Sequence, residues 1–126
     1  MSYGLCVLGL SVLAGVRPAN ASGAAAFPNG DPNRGKAAYS ACMACHSLDE
    51  NRAGPKHRGV VGRRAGVVAG FSYSDALKKS GIVWTKTNLN RWLIDPQKMI
   101  PGAHMYFSVV DPMKRADIIA YLSQQR

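Results

Sequence analysis

Cys42-Met43-Ala44-Cys45-His46 separates two thiols by two residues and sets an imidazole directly after the second. Thiols so spaced at a helix end can reach the two vinyl groups of one haem and form thioethers, and the adjacent imidazole then falls beneath the iron. Two other chemistries use paired cysteines. A thioredoxin-like redox pair expects a strand-rich βαβ setting, and no strand pattern of any length appears in this sequence. A structural zinc site needs four ligands, and beyond His46 the only imidazoles are His57 and His104. The spacing favours covalent haem attachment.

An iron held by one histidine has a sixth position that is open or filled by a second side chain. Met43, Met99, Met105, Met113, His57 and His104 are the candidates. Met43 lies inside the attachment motif and cannot reach the opposite face. Methionine in a small protein is commonly core filler. Met105 stands apart because it comes after Ile100-Pro101-Gly102-Ala103-His104, a constrained turn suited to presenting one side chain from a loop. His57 and His104 stay open as rivals, since a bis-histidine haem would look similar at this level.

These residues need elements to position them. Asp31-Pro32 pairs an N-cap carboxylate with proline at the first helical position, and residues 35–44 continue with apolar residues at helical spacing. Asp111-Pro112 repeats the device before Ile118, Ile119, Tyr121 and Leu122, which form one apolar stripe. Thr85 or Thr87 can cap a third helix through Asn90, Trp92 and Leu93, stopped by Pro96. A short helix from Ser74 to Ser80 would end at Gly81, a C-cap glycine. Glycine-rich loops at 54–70 and around Pro101-Gly102 join them. The expectation is an all-α fold of about four short helices, with so little regular structure that a cofactor must fill the centre.

Composition bounds the rest. The 126 residues carry 16 Lys plus Arg against 7 Asp plus Glu, a net charge of +9, with 47% apolar and 18% charged residues. That describes one basic domain with a buried core and excludes a disordered polycationic tail. No apolar run reaches the roughly 18 residues of a membrane span, so no stable anchor is expected. Residues 4–16 are almost entirely apolar or small, and Ala19-Asn20-Ala21 is a small-x-small triplet of the type cut on export. Residues 1–21 therefore read as a signal peptide, 22–29 as a flexible mature N-terminus and 30–126 as the haem domain, in a periplasmic protein. Cys6 would leave with the leader. Loss of Arg17, the only side-chain charge in that segment, leaves 15 − 7 = +8. Such an excess favours fast, salt-sensitive docking on acidic redox partners. Nucleic acid is a poor alternative for an exported haem protein.

Many ordered motifs carry a resemblance: Gly30-Asp31 with Gly35 and Tyr39, Cys42 to His46, Gly54-Pro55, Gly62-Arg63, residues 70–76, Trp84, Pro101-Gly102 before Met105, and Asp117 to Leu122. From Gly30 to Gln125 the chain resembles the class I cytochromes c, in particular the soluble bacterial cytochromes c2 and c550 close to the mitochondrial form. The resemblance implies His46 and Met105 as axial ligands, with the Pro55 carbonyl accepting the second ring N–H of His46. It implies that Arg63, Tyr73, Ser74 and Trp84 contact the haem propionates. Gly35 would mark where the N-terminal helix crosses the C-terminal one against Tyr121. Lys36 and Lys98 match docking lysines, whereas Ala41 and His104 stand where others are found. Leu77 replaces an asparagine and Trp92 a tyrosine whose hydroxyl approaches the methionine sulfur. Both changes are expected to remove polar groups from the haem interior. His57 replaces an apolar residue.

The function implied is a monomeric one-electron carrier with one covalent haem c. It would shuttle between a dehydrogenase or bc1-type donor and an oxidase, reductase or reaction-centre acceptor. A peroxidase-like enzyme or gas sensor with an open sixth site, and a permanent subunit of a dehydrogenase complex, are the alternatives at this level.

Overall fold

Asp31 opens the first helix as the sequence predicts. Its carboxylate accepts from the amides of Asn33 at 2.7 Å and Arg34 at 3.3 Å, and Pro32 sits where no amide hydrogen is needed. In this computed structural model, which describes residues 1, 4 and 27–126, the leader expected over 1–21 lies outside the described residues, as does most of 22–29. Phe27, within the segment expected to be flexible, packs half-buried against the core.

The helices are α1 (Pro32–Ala38), α2 (Asp75–Lys79), α3 (Lys86–Ile94), α4 (Pro96–Met99) and α5 (Pro112–Gln124), with a 3₁₀ turn at Tyr39–Ala44. Two details differ from the expectation of four helices. The helical spacing over 35–44 resolves into α1 and a tighter 3₁₀ segment that carries the first cysteine. Pro96 stops α3 as predicted but also starts α4. Asp95 sits in extended conformation between them, and its side chain accepts from the Lys98 amide at 3.0 Å. Thr85 rather than Thr87 caps α3, Ser74 caps α2, and Asp111 caps α5. Among the described residues the only β-pairing is an isolated bridge between Arg64 and Val83.

The crossing of α1 and α5 is the main helix contact. A Cβ at Gly35 would overlap the Asp117 carbonyl and the Tyr121 side chain, so glycine permits the approach that the resemblance implied. The Asp117 carboxylate, almost fully buried, accepts from the Asp31 amide at 2.7 Å and from Arg34 Nε and Nη2 at 2.8 and 2.9 Å. From this crossing, Ile118, Ile119 and Leu122 reach inward to join Leu89, Trp92 and Leu93 of α3 in the core. Arg115 ties the segment before α5 to the same core. Its Nη1 donates to the carbonyls of Val109 and Val110, both at 2.7 Å, and its Nε to Asn90 Oδ1 at 2.8 Å.

Candidate functional site

A cavity of about 530 Å³ opens at the centre of these elements, within the roughly 300–1,000 Å³ of ordinary ligand pockets. Cys42, Cys45, His46, Pro55, Arg63, Tyr73, Ser74, Trp84 and Met105 all line it, so the structure brings together every predicted site residue. His57 and His104 line it too. Met43 and Met113 are exposed instead, and Met99 packs against the core.

The 3₁₀ turn closes the attachment motif locally. The amides of Cys45 and His46 both donate to the Cys42 carbonyl, at 3.1 and 2.9 Å, which folds the second thiol and the imidazole back beside the first. His46 Nδ1 lies 2.8 Å from the Pro55 carbonyl oxygen. A carbonyl only accepts, so Nδ1 carries the proton and Nε2 keeps its lone pair. Burial lowers the His46 pKa, and the Pro55 hydrogen bond opposes this only in part. The ring is therefore neutral, the form that binds a metal. A Cβ at Gly54 would overlap this ring, which gives the glycine before Pro55 its steric reason.

Neither rival chemistry survives the geometry. Burial, and next the neighbouring Cys45, push the Cys42 thiol up to about 11. A redox-active pair needs the opposite shift. Among the described residues no three His, Cys, Asp or Glu side chains gather as a metal site.

On the Met105 side, Pro101-Gly102 makes the expected turn, with Gly102 at φ +88°. Gln97 holds the loop from this turn to Met105: its Nε2 donates to the carbonyls of Ala103 at 2.6 Å and Met105 at 2.8 Å. Nothing in the sequence marks that glutamine, because its role depends on α4 ending beside the loop. Trp92 overturns an expectation. Its indole Nε1 donates to Met105 Sδ at 3.1 Å, so replacing tyrosine by tryptophan keeps a polar donor at the sulfur. Only Leu77, which also lines the cavity, is apolar as expected.

The remaining wall is polar at one corner. Arg63 Nη1 and Nη2 donate to the carbonyls of Arg58 and Lys56 at 2.9 and 2.8 Å, while its buried Nε has no partner. Tyr73 Oη accepts from the Val68 amide at 3.2 Å and Ser74 Oγ from the Leu77 amide at 3.2 Å. Each hydroxyl keeps its own hydrogen to donate. Trp84 is joined to this corner through its backbone amide, which donates to the Arg63 carbonyl at 2.8 Å.

His57 shares the His46 wall. Its ring stacks on His46 with centroids 3.9 Å apart and planes 22° apart, and its Nδ1 lies 3.1 Å from the Tyr39 hydroxyl. Burial first, then the neighbouring His46 and the Arg63 charge, push its pKa down to about 3. A ring laid on the face of His46 stands on the same side of the cavity, which removes it as a rival for a sixth position opposite.

A family model described as Cytochrome c matches residues 32–126. The chain belongs to the class I cytochromes c. It is similar to cytochrome c2 of Rhodopila globiformis, 48% identical over 99 residues that cover 75% of this chain and 93% of that protein. Cytochrome c2 of Blastochloris viridis is 42% identical over 123 residues, 94% of this chain and 91% of the relative. Among solved structures, cytochrome cH from Methylobacterium extorquens superposes with a TM-score of 0.73 at 47% identity, covering 75% of this chain and 98% of that one.

As a cytochrome c the chain is an electron carrier rather than an enzyme and holds one covalently bound haem c. The residues fit that group. Two thiols flank a neutral imidazole, a thioether lines the same cavity, and the orphaned Arg63 Nε meets the need of a carboxylate-bearing cofactor for a buried donor.

Proposed function

We propose that this cytochrome c is a soluble, exported one-electron shuttle with His46 and Met105 as axial ligands and Cys42 and Cys45 as the thioether links. The observation that carries the reading is the pair of restrained donors on one cavity: His46 held at Nδ1 by Pro55, and Met105 held at Sδ by Trp92. Bound there, the haem supplies one-electron exchange between Fe(II) and Fe(III).

The chain's own groups set the terms of that exchange. The Pro55 carbonyl fixes the His46 tautomer and raises its donor strength. The Trp92 N–H draws electron density from the Met105 sulfur, which weakens donation to ferric iron and favours the ferrous state. Gln97 holds the loop so that the sulfur keeps its place. Arg63, Tyr73, Ser74 and Trp84 surround the propionates, and Arg63 opposes their charge. Cavity walls of Leu77, Leu89, Trp92, Leu93 and Ile118 keep the dielectric low, so the extra positive charge of the ferric state is disfavoured. With both axial positions supplied by the protein, no substrate has to reach the iron, and the exposed His104 beside Met105 is left to the surface.

Partners follow from surface charge. Lys36 at the end of α1 and Lys98 in α4 are exposed and basic, as docking on an acidic-faced redox protein requires. A dehydrogenase or bc1-type complex would donate, and an oxidase, reductase or reaction centre would accept, with the shuttle a monomer in the periplasm.

The deciding measurement is the oxidised and reduced absorption spectrum of the purified holoprotein and of Met105→Ala. Loss of the methionine-to-iron charge-transfer band in the variant supports the ligand pair; a retained band overturns it. Electron-transfer rates against ionic strength test docking. They should fall as salt rises, and a flat response contradicts steering by the basic excess.

A further inference from the structure

The carrier reading leaves His57 without a task. The family places an apolar residue there, yet this chain puts a second neutral imidazole against the proposed ligand ring. Its neighbours form a continuous stack. Tyr121 of α5 packs on Tyr39 with centroids 5.3 Å apart, the Tyr39 hydroxyl meets His57 Nδ1 at 3.1 Å, and the far face of His57 lies on His46. Tyr39 is only 3% exposed, so the anchor is set in the core. The backbone reinforces it, because the His57 amide donates to the Ser47 carbonyl at 2.9 Å, next to His46 itself.

The Pro55 carbonyl restrains the His46 ring at one atom, Nδ1. A flat partner parallel to within 22° restrains the plane as well. A branched aliphatic side chain presents no plane and leaves more freedom to twist. The orientation of an axial imidazole decides which iron d orbital overlaps its π system, and so how unpaired spin is distributed over the haem in the ferric state. Groups outside the ligand set commonly orient ligands in this way.

We propose that His57, backed by Tyr39, is a positioning residue that fixes the plane of the His46 ring on the haem iron. This rests on the ligation by His46 and Met105 proposed above.

The test uses ferric holoprotein in four forms: the natural chain, His57→Leu, His57→Phe and Tyr39→Phe. The readouts are electron paramagnetic resonance g values and the order of the hyperfine-shifted haem-methyl resonances in NMR, with thermal melting run beside them. His57→Leu should move the g values and reorder the methyl resonances. His57→Phe, which keeps a flat ring without nitrogen, should restore the natural pattern. Tyr39→Phe should give a smaller shift in the direction of His57→Leu. A purely structural role would lower the melting temperature and leave the pattern alone. An unmoved pattern in His57→Leu, or failure of His57→Phe to restore it, overturns the proposal. Should His57→Leu not retain haem, Tyr39→Phe decides, with a moved pattern in support and an unmoved one against. A natural chain lacking the methionine band fails the ligand assignment itself, which is distinguishable from an unmoved pattern in a protein that shows the band.

Discussion

The crossing of α1 with α5 and the wall of the haem cavity solve the same problem, burying polar groups, in different ways. At the crossing the chain satisfies itself: both oxygens of Asp117 are taken by Arg34, and one also by the Asp31 amide. At the cavity wall, Arg63 Nε has no partner, and Tyr73 and Ser74 each accept from an amide while holding a hydrogen in reserve. A closed cluster of this type serves stability, since breaking any member strands the others. An open one serves a guest, because its unpaired groups are satisfied only when that guest brings acceptors. The two regions are linked through Tyr39 and Tyr121, so the site leans on the crossing.

The sharpest way to break the comparison is steric. Gly35→Val would drive a branched side chain into the Asp117 carbonyl, backbone that cannot swing aside. We expect a loss of at least about 3 kcal/mol in denaturant unfolding of the holoprotein, with the methionine band intact in whatever remains folded. A loss under about 1 kcal/mol would mean that close approach is not what the crossing depends on.

Next comes Arg63→Leu at the cavity. It strips donors from the Lys56 and Arg58 carbonyls and should cost about 2 kcal/mol. It should also shift the reduction potential downwards, because a nearby positive charge disfavours the ferric state. Equal potentials in the two proteins would disconnect Arg63 from the haem.

Asp117→Asn probes the crossing by pH. The Arg34 side chain, and then the Asp31 amide, hold the Asp117 carboxyl below the usual carboxylate range. The folded chain thus takes up this proton less readily than the unfolded chain does. The stabilisation is complete above about pH 5, where the unfolded carboxyl is ionised, and is lost as pH falls through that range towards the folded pKa. Melting temperature against pH should be flatter on the acid side for the asparagine variant, and parallel curves would contradict this.

Gln97→Ala should have the smallest effect, about 1 kcal/mol or less. Its signature is local: faster amide hydrogen exchange over 103–105 with the α1–α5 crossing unchanged. Uniformly faster exchange would show that the Met105 loop and the crossing do not behave as separate units.

Much of this was legible from residue order. The attachment motif is local chemistry, because two thiols and an imidazole within five positions are brought together by a single turn whatever the rest of the chain does. The caps at Asp31, Ser74, Thr85 and Asp111 are local for the same reason: each carboxylate or hydroxyl acts on an amide two or three residues away. Pro96 shows where local reading stops. A proline that ends one helix and opens the next obeys the same rule in both roles, and the sequence does not say whether a second helix comes after it.

The amino-acid sequence by itself therefore determined the haem chemistry, the helical class and the basic surface, all of which rest on residue type and short spacing. Only the tertiary structure decided what faces what. Trp92 and Met105 are 13 positions apart, and whether an indole in place of a phenol removes or keeps a donor depends on where its N–H points. Gln97 acts on a loop beyond the end of its own helix. His57 is adjacent to nothing chemical in the sequence, and its stack on His46 exists because the loop 47–57 returns to its starting point, closed by hydrogen bonds from Gly54 to Cys45 and from His57 to Ser47. Hydrogen-bond direction and ring stacking are properties of distance and angle between remote segments, which residue order constrains only through the complete fold.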